Sequence, residues 1–307
     1  MKNKICIIIP YYGKWPRFFD LYLKSCSYND WLDILFITDL ELPAGTFKNV
    51  SKRHIPASEI KSIFSEKLQS EVSLDSFYKL CDLKPTYGYV FQDWIKEYAF
   101  WGFGDVDLIY GNTRKFLTDE LLDNYDIITF RTEWISGALT LFRNTPEINT
   151  LFKKSPDWKK VISSPKHFSF TEIAHFYNEV KSGQSALEVP TEIVSFTTVC
   201  KRAAVNGELR YFEKKLIKES ISEGEYLCFD KGVIKDNKEV EYLHYHYITE
   251  KTKRAFRFPQ WETIPDKFYI TPTGFYTTQQ FRWEPLLKWA RRVRGFRKAA
   301  VRKLANS

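Results

Sequence analysis

The segment Ile5-Cys-Ile-Ile-Ile-Pro-Tyr-Tyr-Gly13 decides the fold class of this chain. Its continuous apolar run is followed by a turn, and then by residues 17–26, whose apolar positions recur at helical spacing. A second strand is predicted at residues 32–37, and a third is predicted near residues 50–55. Short continuous apolar strands separated by helical stretches are typical of parallel strands that are covered on both faces. The sequence therefore predicts an α/β fold with a doubly wound, mixed sheet and helices on both faces.

The bulk composition indicates a folded protein with a large core. The chain has 307 residues, of which 44% are hydrophobic, enough for one large domain or two small ones. Its five cysteines are scattered without C-x-x-C spacing, which favours buried thiols in a reducing compartment over a disulfide or zinc framework. The first apolar run is too short for a signal peptide, and no run of 18 apolar residues occurs. A cytoplasmic location is therefore expected.

The net charge of +8 belongs to the C-terminal end of the chain. Residues 281–307 contain nine Lys or Arg residues and one acid, so that this segment accounts for the whole +8 and the rest sums to zero. Within it, Leu286, Trp289, Val293 and Phe296 recur at steps of three and four residues between the cations. This pattern is typical of an amphipathic helix that lies on an anionic membrane surface.

We therefore divide the chain into a domain over residues 1–275 and a basic amphipathic tail over residues 276–307. Residues 283–304 are expected to bind the membrane surface. Two alternatives are a helix packed on the domain and an arm that binds nucleic acid. The regular apolar stripe favours the membrane, and we expect no nucleic acid partner.

Asp105-Val-Asp107 is the strongest chemical signal in the sequence. It follows Gly102-Phe-Gly104 and precedes an apolar run. Two carboxylates at positions i and i+2 of an extended segment point the same way and can face one divalent cation. An Asp-x-Asp by itself is common in solvated turns. In this apolar setting, however, two acids are costly unless something pairs with them, which favours a metal site.

The pair resembles the DxD motif of GT-A glycosyltransferases, which it matches in its apolar flanks and in its distance from the first strand. More narrowly, Lys79-Leu-Cys-Asp-Leu-Lys-Pro85 and Phe100-Trp-Gly-Phe-Gly-Asp-Val-Asp-Leu-Ile-Tyr-Gly111 resemble a group of bacterial polysaccharide-associated proteins, often labelled only as a domain of unknown function. The resemblance covers about residues 4–255. It implies a GT-A-like, Rossmann-like domain that uses a nucleotide-sugar donor, with UDP as the expected nucleotide, and Mn²⁺ or Mg²⁺ as cofactor.

The resemblance also implies which residues bind the donor. In GT-A enzymes the ends of the first two strands hold the nucleoside, and here these positions are Pro10, Tyr11, Tyr12 and Asp39. Asp82 and Lys84 occupy the region from which such enzymes often contact ribose, base or phosphate. Asp39 also fits a turn-forming or capping acid. Lys84 also fits a solvated surface lysine.

A third metal ligand in many GT-A enzymes is a histidine near the end of the domain. Tyr242-Leu-His-Tyr-His246 offers two candidates on one face of a strand, and we favour His244 over His246. Lys251, followed by Lys253 and Arg254, would then clasp the diphosphate. The alternative is a sheet surface with two exposed histidines.

An inverting transferase needs a carboxylate base for the acceptor hydroxyl. Glu172, at the start of a predicted helix, and Glu133 are the candidates. Glu172 also fits ordinary helix N-terminal chemistry, and a retaining mechanism would need no such base.

The function expected from these observations is transfer of a hexose-type sugar from a nucleotide-diphosphate donor to a lipid-linked or growing bacterial surface polysaccharide, such as O-antigen or capsule. The enzyme would act from the inner face of the cell membrane as a peripheral protein. A metal-dependent nucleotidyltransferase or phosphohydrolase is one alternative, although no G-x-x-x-x-G-K-[ST] loop is present. A non-enzymatic module that binds membrane or nucleic acid through the tail is another.

Overall fold

The computed structural model describes residues 4–246, 256, 258 and 261–279 of the chain. The strands are β1 Ile5–Pro10, β2 Leu32–Thr38, β3 Val50–His54, β4 Phe100–Gly104, β5 Leu108–Tyr110, β6 Ile127–Thr129, β7 Leu139–Arg143, β8 Tyr211–Glu213, β9 Ile217–Lys218, β10 Leu227–Asp230, β11 Val233–Asp236, β12 Glu241–Tyr242, β13 His244–His246, β14 Lys267–Thr271 and β15 Gly274–Tyr276. The α-helices are α1 Phe19–Ser27, α2 Ile60–Leu68, α3 Leu80–Leu83, α4 Tyr87–Val90, α5 Thr113–Phe116, α6 Asp119–Asn124, α7 Pro146–Asn149, α8 Trp158–Ser163, α9 Tyr177–Lys181 and α10 Phe196–Val205. Short 3₁₀ helices lie at Phe77–Lys79, Lys84–Thr86, Gln92–Trp94 and Leu151–Lys154.

The main sheet has seven strands in the order β3-β2-β1-β4-β7-β6-β8. β3, β2, β1 and β4 run parallel, and β7 is antiparallel to both of its neighbours. The predicted mixed sheet is therefore confirmed. Because β7 is antiparallel to both β4 and β6, these two strands run parallel to each other. The carboxyl ends of β1, β2, β4 and β6 consequently meet at one edge of the sheet.

Both faces of the sheet are covered, which explains the continuous apolar run of β1. Cys6 and Ile8 belong to one hydrophobic cluster, together with Phe64 of α2. Ile7 belongs to a second cluster on the opposite face, together with Tyr22 of α1. Successive side chains of a strand point to opposite faces, so a strand that is buried on both faces has no polar positions to alternate. The prediction of helices on both faces is confirmed.

Two smaller sheets, which the sequence patterns do not reveal, complete the described part of the molecule. β12-β11-β10-β14-β15 form an antiparallel sheet. β5, β13 and β9 form a three-stranded sheet, in which β13 pairs antiparallel with β5. The second small sheet brings residues 244–246 against the segment that follows Asp107.

The tail lies mostly outside the described residues. The residues expected to bind the membrane, 283–304, and the basic residues Lys251, Lys253 and Arg254 are all among those not described. Within the described ranges, none of the helices has the length and apolar character needed to cross a bilayer.

Candidate active site

A cavity of about 490 Å³ opens at the edge where the carboxyl ends of β1, β4 and β6 meet. This is the edge at which open α/β sheets bind ligands. The residues predicted at the end of the first strand, Pro10, Tyr11 and Tyr12, line the cavity. Lys84, Asp105, Asp107, Arg131, Glu172 and His246 line it from other segments.

Asp105, Asp107 and His246 form a group that fits a metal ion. Their potential ligand atoms all lie within 4.8 Å of one another, and Asp107 and His246 are buried. The two acids do not sit in an extended strand as predicted: β4 ends at Gly104, residues 105–107 form a bend, and β5 begins at Leu108. The bend, rather than strand alternation, brings the two carboxylates together.

The preference for His244 over His246 was wrong. In the antiparallel pairing of β13 with β5, His244 faces Tyr110 and His246 faces Leu108, the residue next to Asp107. Both histidines share a face, but only His246 lies at the end of β13 that reaches the acids. Nε2 of His246 is 3.3 Å from Oδ1 of Asp107. His244 is fully buried against Tyr110, and burial holds its pKa well below the ordinary value.

The chemistry of these three side chains fits a divalent cation. Carboxylate oxygens suit Mg²⁺ and Mn²⁺, and an imidazole nitrogen favours a transition metal. Both ring nitrogens of His246 are buried, and neither makes a hydrogen bond of good geometry among the described residues. The contact between Nε2 and Asp107 is an ion pair at the outer edge of hydrogen-bonding distance. Burial by itself would lower the pKa of His246, but the hydrogen bond and charge of Asp107 raise it above the ordinary value.

Lys84 lies in the cavity wall and is not the solvated surface lysine of the alternative prediction. It is buried, and its Nζ donates to Oδ1 of Asp105 at 2.5 Å and to the carbonyl oxygen of Gly137 at 2.7 Å. Burial would lower its pKa, but the charge of Asp105 raises the pKa above its usual range. Lys84 is therefore a permanent cation that neutralises one of the two metal-binding acids.

Glu172 faces the same cavity from the far side of Gly137. Its Oε1 accepts from the backbone N–H of Gly137 at 3.2 Å, and its Oε2 accepts from the hydroxyl of Tyr177 at 2.5 Å. It does not begin a helix, since α9 starts only at Tyr177. It lies in an irregular segment in which Ser169 and Ala174 have left-handed φ angles of 54° and 51°. Glu172 therefore does not have the alternative role of a residue at a helix N-terminus, and its carboxylate lines the cavity.

Hydrogen bonds through Lys84 and Gly137 connect Asp105 to Glu172. Lys84 contacts both Asp105 and the Gly137 carbonyl oxygen, while the Gly137 N–H contacts Glu172. The Asp105–Asp107–His246 group, which we call the metal pole, and Glu172 thus lie on opposite sides of one glycine. A Cβ on Gly137 would lie 3.0 Å from Oε1 of Glu172, so a glycine suits this close approach.

The lining of the cavity does not include three other predicted residues, Asp82, Asp39 and Glu133. Asp82 is fully buried and accepts from Lys79 Nζ and from two backbone N–H groups of the segment before Glu172, so its carboxylate is already used. Asp39 accepts from the N–H of Ala57 and so joins the end of β2 to the segment before α2, rather than forming a local turn.

Glu133 lines a separate depression, and the guanidinium Nε of Arg131 lies 3.6 Å from its Oε2. Burial would raise the pKa of Glu133, but backbone hydrogen bonds and Arg131 lower it overall, which makes this carboxylate a weaker base. It is therefore a poorer candidate than Glu172.

Sequence reasoning missed Arg131, Glu219 and Tyr78, which also line the cavity. Arg131 is buried, pairs with Glu219 at 2.5 Å and packs on the ring of Trp134. It comes just after β6, and the parallel orientation of β6 to β4 carries it to the site. A charged residue shortly after an apolar strand could have indicated Arg131, as it indicated Asp39.

The comparisons with known proteins give a family and a distant structural likeness. A model described as a family of unknown function (DUF6625) matches residues 7–279. No curated protein matches the sequence. Among solved structures, a glycosyltransferase involved in the glycosylation of the major capsid of PBCV-1 is 11% identical, with a TM-score of 0.34, over 80% of this chain and 92% of that one. A likeness at that score carries no argument about activity.

Proposed function

We propose that this chain, which belongs to the DUF6625 family of unknown function, is a metal-dependent glycosyltransferase that uses a nucleotide-diphosphate sugar. The observation that carries the proposal is the division of one cavity into a metal pole and a separate carboxylate, Glu172, on the two sides of Gly137. A transferase has to stabilise a departing diphosphate and to deprotonate an incoming hydroxyl at the same time. These two tasks need two acidic groups with different surroundings in one pocket.

The donor end of the site is the metal pole. A divalent cation held by Asp105, Asp107 and His246 would neutralise the diphosphate as it leaves. Lys84 and Arg131 are the buried cations that line the described cavity near this pole, and both are fixed by ion pairs. Such prepositioned charges stabilise a developing negative charge without having to reorganise. Tyr11 and Tyr12 line the cavity at the end of β1, where the nucleoside would bind.

The acceptor end of the site is Glu172. The Gly137 N–H and the Tyr177 hydroxyl both donate to its carboxylate and so hold it in one orientation in the cavity. An oriented carboxylate can accept the proton of the acceptor hydroxyl while that oxygen attacks the anomeric carbon. We therefore propose an inverting reaction with Glu172 as the base.

The choice of UDP, a lipid-linked or growing surface polysaccharide as acceptor, and attachment to the inner leaflet through residues 283–304 extend this proposal. They rest on the resemblance and on the pattern of the tail. Attachment of that kind would keep the cavity close to an acceptor that is itself anchored in the membrane.

Calorimetric titration with UDP, GDP and CMP, with and without Mn²⁺, tests the proposal directly. We expect one nucleotide to bind in a metal-dependent way, and Asp107→Ala to abolish that binding. Asp39→Ala is the matched control, because Asp39 is also an acid after a strand but does not line the cavity. A protein that binds none of the nucleotides under any metal condition would refute the transferase.

Incubation of the protein with a nucleotide-diphosphate sugar and Mn²⁺ separates the proposal from the alternatives. A nucleotidyltransferase or phosphohydrolase would cleave the nucleotide between phosphates, whereas a glycosyltransferase releases an intact nucleoside diphosphate from the sugar. Truncation after residue 280 distinguishes the domain from the tail. Nucleotide binding that survives the truncation contradicts a module that works only through its tail.

A further inference from the structure

An exposed tyrosine, Tyr78, lines the same cavity as Glu172. Tyr78 is 65% exposed. Its neighbour Phe77 is 39% exposed and stacks on Tyr12. Exposed apolar surface next to a polar pocket commonly marks a binding site.

Tyr78 is held on a rigid support. It lies in the 3₁₀ helix Phe77–Lys79, which Ser76 caps by accepting from the N–H of Tyr78. The ring of His167 lies behind it, with a distance of 4.6 Å between ring centroids. The next residue, Lys79, is only 2% exposed, and its Nζ donates to Asp82 at 2.8 Å and to the carbonyl oxygen of Lys166 at 2.6 Å. An exposed ring on such a base loses little conformational freedom when it binds a ligand.

The same support carries Glu172. Asp82 accepts from the backbone N–H groups of Phe168 and Phe170, both at 2.8 Å, and the hydroxyl of Thr171 donates to the carbonyl oxygen of Cys81 at 2.6 Å. These buried bonds join the segment of Tyr78 to the segment of Glu172. The ring and the carboxylate are therefore fixed relative to each other.

Tyr78, Glu172 and Asp105 line one cavity. Burial raises the pKa of the Tyr78 hydroxyl, and the neighbouring Cys81, Glu172 and Asp105 raise it further. The ring thus stands beside the acids of the cavity, with much of its surface open to solvent.

We infer that the open ring of Tyr78, backed by His167, is the platform on which a pyranose ring of the acceptor stacks, with one acceptor hydroxyl at Glu172. A pyranose has a face of C–H groups and an edge of hydroxyls. It therefore matches an aromatic face that lies beside a carboxylate and the hydroxyl of Tyr177. This inference rests on the proposed function, because Glu172 is taken as the base. It adds that the acceptor binds through the last sugar ring of a glycan rather than through an amino acid side chain or a lipid.

Saturation-transfer NMR on the full chain, with UDP and Mn²⁺ present, tests the platform. The probes are the methyl glycosides of glucose, galactose, N-acetylglucosamine and rhamnose. We expect at least one of them to receive magnetisation from the wild-type protein, most strongly at the C–H groups of one ring face. Tyr78→Ala should weaken its binding about tenfold, because it removes the stacking surface. Tyr78→Phe keeps the ring and should bind almost as wild type does.

Two results would overturn the inference, and both are distinguishable from failure of the proposed function. One is a wild-type protein that binds none of the glycosides; the other is Tyr78→Ala binding them as well as wild type. Nucleotide binding measured on the same samples reports on the proposed function separately. It should be unchanged in both Tyr78 variants, and because Tyr78 is exposed, thermal unfolding should show both variants to be folded.

Discussion

Replacement of Asp82 by asparagine should destabilise the protein strongly although Asp82 does not line the cavity. Asp82 and Lys79 are 0% and 2% exposed, so their ion pair is removed from water. Asparagine leaves the Lys79 ammonium buried without a counter-charge, and its amide group can replace only one of the two accepting oxygens. At least one backbone N–H, that of Phe168 or Phe170, then faces a donor. Breaking a buried ion pair by removing one partner costs about 3–5 kcal/mol.

A double-mutant cycle with Lys79→Met tests this magnitude by denaturant unfolding. The pair Asp82→Asn and Lys79→Met leaves no unpaired charge, so we expect the double variant to be less destabilised than the sum of the single variants. The difference should be about 2–3 kcal/mol, of the size seen for residues in one network. Single-variant effects that add to within about 0.5 kcal/mol would refute the coupling.

The pH dependence of the single variant gives a second, independent check. Burial lowers the pKa of Lys79 even though Asp82 raises it, and removal of Asp82 should lower it further. The unfolded state then binds more protons than the folded state between the lowered pKa and about 10.4, so the free energy of unfolding rises with pH in that window. The stability gap between Asp82→Asn and wild type should therefore narrow as the pH is raised from 7 towards 10. A gap that widens contradicts the assignment to Lys79.

Three further predictions concern the metal pole and the sheet. His246→Ala should weaken Mn²⁺ binding at least about tenfold, as measured by electron paramagnetic resonance. Even substitutions of residues that only hydrogen-bond to a metal ligand typically reduce metal affinity by that factor. His244→Ala should mainly lower the free energy of unfolding. Lys84→Met removes the cation paired with Asp105, and should strengthen Mn²⁺ binding without nucleotide about tenfold, which is about 1.4 kcal/mol. Asp126→Asn removes the negative charge and one of the two oxygens that accept from Arg143 and Arg210, and should cost about 1.5–3 kcal/mol of unfolding free energy at pH 7.

Each of these predictions has a contrary outcome and, where the chain offers one, a control. Equal Mn²⁺ affinities for the His244 and His246 variants would contradict the register argument, and weaker Mn²⁺ binding by Lys84→Met would contradict the charge argument. For Asp126, burial would raise the pKa, but Arg210 and Arg143 lower it overall. Its stabilisation is therefore present above about pH 3.9 and lost as the pH falls through the lowered pKa. Asp119→Asn, in an exposed pair with Arg114, should change little.

The sequence by itself determined the first half of the sheet and the position of the metal pole. The continuous apolar run of residues 5–9 predicted β1, because a strand that is buried on both faces has no polar positions and this is visible within six residues. Strands were also predicted at residues 32–37 and 50–55, which correspond to β2 and β3. Asp105 and Asp107 were predictable for the same local reason, since two acids in an apolar stretch need a partner. The strand over residues 242–246 was predicted, but the pairing of the small sheets was not, because β9, β12 and β13 have only two or three residues each and too little pattern to indicate their partners.

The tertiary structure alone decided which of several chemically similar residues belong to the site. Asp39, Asp82 and Glu133 had the same local signals as the residues that line the cavity, but their carboxylates are engaged elsewhere. The choice of His246 over His244 depended on the register of β13 against β5, a pairing of residues more than a hundred positions apart. Periodicity in a sequence determines which face of an element a side chain occupies. Only the packing of distant segments determines which side chains on that face come into contact. The free energy of such a contact depends on both partners, and one of them lies far away in the sequence.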